Sequence, residues 1–212
     1  ETVNQNGILG TQGSILPSVH FNVTLNSAAN YEFSGSAQTT TGLPATVHNL
    51  TFSNTGLKTL AGNVTVANNL TINDEASLRI APAQVVSALT VLNNAGVAGI
   101  FVNADITGAL PSGTLIFGNN ISLNPVPATV GFYSKAFIDP DAKWQYFGIP
   151  FTEYVPGETL GPYKKYSWDE TYLNNTHWKI VEPDSTMLPF LGYAITQPSA
   201  DYYDISGNLT NE

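Results

Sequence analysis

The side chains with the most chemical potential lie late in the chain. Asp169 and Glu170 follow Trp168 where a strand runs into a turn. A pair of carboxylates can act as acid and base in glycoside hydrolysis, but sequence neighbours on a strand point to opposite faces. They read better as solvated turn residues. Asp139-Pro140-Asp141 sets two carboxylates at i and i+2, as some Ca²⁺ loops do. Asp-Pro-Asp-Ala is also an ordinary turn sequence, and that reading is preferred. His20, His48 and His177 lie far apart and form no metal-ligand spacing; His177, beside Trp178, reads as packed or edge-exposed. There is no nucleophile elbow, phosphate loop or dinucleotide fingerprint. No catalytic residue, metal ligand or cofactor is assigned.

Aromatic residues supply the one candidate binding surface. Tyr163, Tyr166, Trp168, Tyr172, Trp178, Tyr202 and Tyr203 could form a platform on which sugar rings stack, with nearby Asp and Asn bonding the hydroxyls. From these, Tyr163, Tyr166, Trp168, Trp178 and Tyr202 are taken as candidate ligand-binding residues. The competing reading is that a unit of about 80 residues needs Trp and Tyr to fill its core. Alternation places Tyr166 and Trp168 on one face, which suits both readings. Trp144 and Phe147, followed by Gly148-Ile149-Pro150, read as core.

The elements that must hold these residues are β-strands. Short period-2 runs rich in β-branched residues recur: Phe21 to Leu25, Leu50-Thr51-Phe52, Val64-Thr65-Val66, Leu70-Thr71-Ile72 and Leu78-Arg79-Ile80. Gln84 to Val91 resembles a helix start, but its Val85-Val86 and Thr90-Val91 pairs favour a strand. Asn49-Leu50-Thr51-Phe52 recurs as Asn69-Leu70-Thr71-Ile72 at an offset of 20, and Leu60 falls opposite Ile80. Thr65-Val66-Ala67-Asn68-Asn69 recurs as Thr90-Val91-Leu92-Asn93-Asn94 at an offset of 25. A period of 20–25 residues built from short strands predicts a right-handed parallel β-helix, with apolar residues inward and Asn amides bonded between coils at the corners. An ordinary β-sandwich is the alternative for this region. The Asn-x-Thr triplets at Asn22, Asn49, Asn63, Asn69 and Asn208 match glycosylation acceptors. They read instead as a turn Asn followed by a strand-starting Thr.

Composition sets the bounds. The 212 residues carry 16 acidic against 7 basic side chains, a net charge of −9, and no cysteine. A disulfide scaffold is excluded, and disorder is disfavoured by a hydrophobic content of 42% with only 11% charged residues. With so few Lys and Arg, nucleic-acid binding is not expected. No apolar stretch is long enough for a membrane-spanning helix. The composition also shifts along the chain: residues up to 125 are rich in Asn, Thr, Ser and Gly, whereas Trp144, Trp168 and Trp178 all lie beyond residue 140. A join is placed near Asn124-Pro125-Val126-Pro127, where prolines discourage both helix and central strand.

Several segments are similar to large exported proteins of the Bacteroidetes. Tyr31 to Gly56 resembles their repeat regions, and Ser77 to Asn120 resembles a terminal coil that closes the helix. Trp144 to Phe151, Tyr166 to Glu170, Trp178, Gly192 to Ile195 and Tyr202 to Leu209 resemble the β-rich module that follows. The resemblance implies an exported, adhesin-like surface protein, often sorted through a C-terminal type IX domain that is not visible here. It supplies no catalytic residues.

The resulting expectation is an all-β chain. A short right-handed parallel β-helix over residues 1–125 is followed by a small antiparallel β-sandwich-like module over 126–212, within a larger protein. The expected function is non-enzymatic and structural or adhesin-like, secreted or at the cell surface. The expected partners are a glycan or a host or cell-surface protein, and further domains of the same protein. A carbohydrate-binding module is the first alternative. A β-helix polysaccharide lyase or hydrolase is the second, disfavoured because residues 1–125 hold only Lys58 and Arg79 as bases and Asp74, Glu75 and Asp105 as mid-chain acids.

Overall fold

The computed structural model describes residues 7–13, 25–73, 75–89, 91–94, 99–118, 120–121, 126–137, 143–157, 160, 164–172 and 177–210. Phe21 to Thr24, His20, Asp139-Pro140-Asp141 and Tyr163, each part of an expectation above, lie outside them. Every regular element among the described residues is a β-strand.

The strands follow one another in coils. After β1 (Ile8–Thr11) come β2 (Asn30–Phe33), β3 (Gln38–Thr39) and β4 (Thr46–Val47), then β5 (Asn49–Phe52), β6 (Gly56–Thr59) and β7 (Val64–Val66). Next are β8 (Asn69–Ile72), β9 (Ala76–Ile80) and β10 (Val85–Ala88), then β11 (Val91–Asn94), β12 (Ile100–Val102) and β13 (Thr114–Phe117). β14 (Asn120–Ile121) and β15 (Pro127–Ser134) begin the last coil. The chain then forms β16 (Gln145–Phe147), β17 (Lys164–Trp168), β18 (Trp178–Ile180), β19 (Tyr193–Thr196) and β20 (Asp201–Asn208).

Each coil gives one strand to each of three parallel sheets. Their orders are β1-β2-β5-β8-β11-β14, β13-β10-β7-β4, and β20-β15-β12-β9-β6-β3, with only β20 antiparallel. The expected parallel β-helix is therefore present, and the sandwich alternative for the repeat region is not. Asn30 pairs with Asn49, Leu50 with Leu70 and Leu70 with Leu92, offsets of 19, 20 and 22 residues. The repeat at offset 20 is thus real register. The one at offset 25 is not: Val66 lies opposite Ala88 and Asn69 opposite Val91. Asn93 and Asn94 sit inside β11 rather than at the corner that Asn68 and Asn69 turn.

Period-2 alternation decides what enters the core. β2, β5 and β8 each bury their second and fourth residues. Tyr31, Leu50 and Leu70 stack in one inward row; Phe33, Phe52 and Ile72 form the next, with the two Phe rings 6.0 Å apart. Each such burial contributes roughly 1.5–3 kcal/mol. The corners are held by amides. Asn49 Nδ2 donates to Asn30 Oδ1 (2.6 Å), and Asn49 Oδ1 accepts from Asn68 Nδ2 (3.0 Å) and Asn69 N (2.9 Å). Asn63 Oδ1 accepts from Val85 N (2.9 Å), and Gln84 Nε2 donates to Leu60 O (3.0 Å). This is the amide stacking expected at the corners.

The tight corner before β6 depends on Gly56 at φ +96°, where a Cβ would collide with the Ser36 carbonyl. The corner also explains a lysine in the core. Lys58 occupies an inward position of the third sheet, in register with Leu78 and Ile100. It is fully buried, and its Nζ donates to the carbonyls of Asn54, Thr55 and Gly56 at 3.2–3.3 Å. Burial lowers its pKa. That lowering is the effect of desolvation; the three carbonyl bonds to the ammonium act in the opposite direction.

β20 ends the third sheet. It pairs along all of β15, from Pro127↔Asn208 to Ser134↔Asp201, while β12 reaches only Ala128 to Val130. Pro127 is the first residue of β15, a strand position that tolerates a missing N–H. The projecting β15–β20 ribbon faces a four-stranded antiparallel sheet of order β16-β19-β17-β18. Rings of Phe132 and Phe147 (5.0 Å), Phe132 and Tyr203 (6.3 Å), and Phe147 and Tyr193 (5.8 Å) join them. Buried Ser134 accepts from Asp201 N (3.0 Å) and from Gln197 Nε2, and Gln197 Oε1 accepts from the Tyr203 hydroxyl (3.2 Å).

A folded-state lysine pKa below its unfolded value means the native state binds fewer protons, so stability rises with pH up to about the unfolded value near 10.4. Lys58→Met keeps the packing volume and removes the buried charge. It is expected to be at least as stable as the parent at pH 7, with the advantage shrinking toward pH 10 in denaturant titrations. A loss above about 1 kcal/mol at pH 7 would show instead that the carbonyl bonds outweigh desolvation.

Candidate functional site

The four-stranded sheet has two unlike faces, and the strand register separates them. One face carries Phe147, Tyr193, Ser167 and Ile195 and packs toward the β15–β20 ribbon. The other carries Tyr146, Ala194, Tyr166 and Ile180 in one row across all four strands: Tyr146↔Ala194, Ala194↔Tyr166, Tyr166↔Ile180. Trp168 and Trp178 pair in the adjacent row, and Trp144 precedes β16 two residues before Tyr146.

On this second face the rings lean over the small Ala194. Trp144 meets Tyr166 edge to face at 5.1 Å and 86°. Tyr146 stacks on Trp178 at 6.0 Å and 29°, and Trp178 meets Trp168 edge to face at 5.2 Å. Trp144, Tyr146, Tyr166, Trp178 and Ala194 line an open cleft of about 280 Å³. The surface is wet: Tyr146 is 69% exposed, Ile180 56% and Trp168 42%. Lys164, also exposed, lies on the same face two residues before Tyr166, opposite Thr196.

Three of the five candidate residues therefore come together: Tyr166, Trp168 and Trp178. Tyr163 lies outside the described residues. Tyr202 is elsewhere, on β20 opposite Tyr133. Its hydroxyl oxygen accepts from Ala104 N, and burial with the nearby Asp204 carboxylate pushes its pKa up to about 12. A Cβ on Gly131 would strike that hydroxyl, so Tyr202 fills space between strands. Tyr203 is buried against Phe132. Tyr172 is exposed near the turn after β17.

Three cleft residues were missed: Trp144, Tyr146 and Ala194. Trp144 was expected in the core with Phe147, yet it lines the cleft while Phe147 packs inward. The signal was available: residues 144 and 147 differ by an odd number, so on one strand they cannot share a face. Tyr146 is missed for the same reason. Ala194 gives no sequence signal, because its effect lies in the volume it leaves open.

The neighbouring charges serve turns. Asp169 Oδ1 accepts from Thr171 N (2.9 Å) and Thr171 Oγ1 (2.7 Å), which holds its carboxyl below the usual range. Glu170 points to solvent. The His177 ring, half-buried at φ +57°, lies 5.4 Å from Trp168. Asp105 caps another exposed turn, accepting from Thr107 Oγ1, Thr107 N, Leu110 N and Ala109 N, and its pKa falls to about 2. Among the described residues no three His, Cys, Asp or Glu side chains group as a metal site.

No family model matches the chain, and no solved structure does. The chain is similar to the minor fimbrium subunit Mfa5 of Porphyromonas gingivalis, 32% identical over 131 residues. The match spans 55% of this chain but only 10% of that much longer protein. No helix among the described residues is long and apolar enough to cross a membrane.

The two faces predict opposite responses to truncation. Phe147→Ala is expected to lower unfolding free energy by about 2 kcal/mol, since it removes a partly buried ring that touches Phe132 and Tyr193. Trp168→Ala on the wet face is expected to change it by less than about 1 kcal/mol. Equal losses in chemical denaturation would mean that the outer aromatics are core after all.

Proposed function

We propose that this chain is a structural, adhesin-like segment of a secreted or cell-surface protein and has no catalytic role. The similarity to a fimbrium subunit is the observation that carries the reading. The architecture supports it: coils whose cohesion lies in their own backbone pairing and corner amides form a stiff support that needs no cofactor. On this reading residues 1–125 are the repeat region and 126–212 the module that carries contacts. The partners are further domains of the same larger protein and a glycan or protein on an opposing surface. Export by the type IX route belongs to the same proposal.

A carbohydrate-binding role is a second reading, favoured by the exposed aromatic cleft. No observation favours the lyase or hydrolase reading.

The surface assignment is tested on intact cells of the source organism. Antibodies raised against the folded chain should label unbroken cells, and brief proteinase K treatment should remove the label while a cytoplasmic marker survives. Labelling that appears only after lysis overturns the proposal.

A further inference from the structure

We propose that this chain associates with a second copy of itself, the turn at residues 188–191 of one copy seating in the cleft between Trp144, Tyr146, Tyr166 and Trp178 of the next. The inference goes beyond the adhesin-like reading and gives the cleft a protein occupant in place of a glycan.

The first argument is a turn that displays apolar side chains. In Leu188-Pro189-Phe190-Leu191, Phe190 is 70% exposed, Leu188 47% and Leu191 44%. Apolar side chains grouped in water mark a contact surface. Phe190 also has φ +60°. Proline followed by a positive-φ residue is a turn pattern in which glycine is usual at the second place. An exposed Phe there gains nothing from burial and costs backbone free energy, and such strain collects at functional sites. The turn is held firmly. The buried Tyr193 hydroxyl accepts from Leu188 N (2.7 Å) and donates to Leu188 O (3.1 Å), and Met187 exchanges two backbone bonds with Tyr154. A preformed turn loses little freedom on docking.

The cleft is the matching socket. It holds about 280 Å³ between four aromatic rings and Ala194. A cavity of about 150 Å³ takes a benzene ring, so the Phe190 ring fits with room for part of a flanking leucine. Aromatic walls meet an aromatic knob in offset or edge-to-face contacts. Phe190 does not line the cleft of its own chain, so knob and socket both stay open until another molecule fills them.

Charge favours a second copy over a lipid surface. The exposed charges around the turn are acidic: Glu182 and Asp184 precede it, and Glu153 stands opposite Leu188 in the Tyr154↔Met187 pairing. No Lys or Arg follows Lys179. Those acids repel an anionic bilayer. At the cleft the exposed Lys143 directly precedes Trp144. Turn-to-cleft contact therefore brings opposite charges together, whereas turn-to-turn contact brings acids together. The joined surfaces are unlike, so each pair keeps one free turn and one free cleft, and copies add head to tail.

Sedimentation equilibrium of the whole chain, run from about 1 to 500 µM, tests this. Reversible association beyond the dimer is expected, with a dissociation constant of about 10–100 µM in keeping with a small contact. Phe190→Gly, which suits the positive φ, should weaken association at least tenfold without lowering the thermal midpoint. Tyr146→Ala, which removes an exposed wall of the cleft, should do the same. An equimolar mixture of the two variants should form a one-to-one pair and stop there, since each supplies what the other lacks. A wild type that stays monomeric, whether or not it floats with phosphatidylcholine vesicles, overturns the proposal. So does wild-type association in either variant, or a mixture that remains monomeric. Association is measured on the isolated chain and surface exposure on intact cells, so either proposal can fail without the other.

Discussion

Parallel pairing between successive coils is the constraint on which the rest of this structure depends. A parallel ladder gives every interior strand a partner on both sides, and in a coil that partner is the equivalent strand one turn on. The pairing works only if each turn presents its apolar residues inward at the same positions. A slip of one residue would turn Leu50 and Phe52 outward. Coil lengths vary from 19 residues (Asn30↔Asn49) to 29 residues (Val91↔Asn120), because the connections between strands absorb the difference while the strands do not. The corner amides and the glycine at position 56 are consequences of this demand: they let the chain turn sharply without leaving backbone groups unpaired.

A stack of this kind has ends, and an unpaired strand at an end is a template for association. In the third sheet the chain covers the edge of β15 by bringing β20 back antiparallel along it, and β20 becomes the end strand. Because the pair projects beyond the stack, it offers a second surface, and the four-stranded sheet packs there through Phe132, Phe147, Tyr193 and Tyr203. The Ser134–Gln197–Tyr203 hydrogen bonds fix the same junction with polar groups that are satisfied rather than merely buried. The cleft follows from this arrangement. A four-stranded sheet covered on one side must expose the other, and here the exposed side carries the tryptophans.

Legibility differed between the two regions for a physical reason. In the coils, local alternation and long-range register coincide, so Asn49-Leu50-Thr51-Phe52 and its copy twenty residues later marked both the strands and their pairing. The false repeat at offset 25 shows the limit: short motifs of Asn, Thr and Val recur by composition alone. In the sequence Lys58 is only one of two bases in the first 125 residues, and only the carbonyls of residues 54–56, gathered by two positive-φ residues, make its burial tolerable. In the terminal sheet the strands pair out of sequence order, β16 with β19 and β19 with β17. No repeat announces such pairing. The grouping of Tyr166, Trp168 and Trp178 was visible as composition and the separation of Trp144 from Phe147 as strand parity, while the separation of Tyr202 was visible in neither.

The amino-acid sequence by itself determined the all-β class, the coil period, the corner asparagines and the concentration of aromatic residues in the last third. These are properties of spacing and residue type, which act locally or repeat. Only the tertiary structure decided which aromatic rings became core and which became a cleft. That choice depends on which face of a strand meets another sheet, and a strand carries the same alternation whichever face is covered. Ala194 makes the point most simply: in the sequence it is one small residue among many, and in the fold it is the space between four rings.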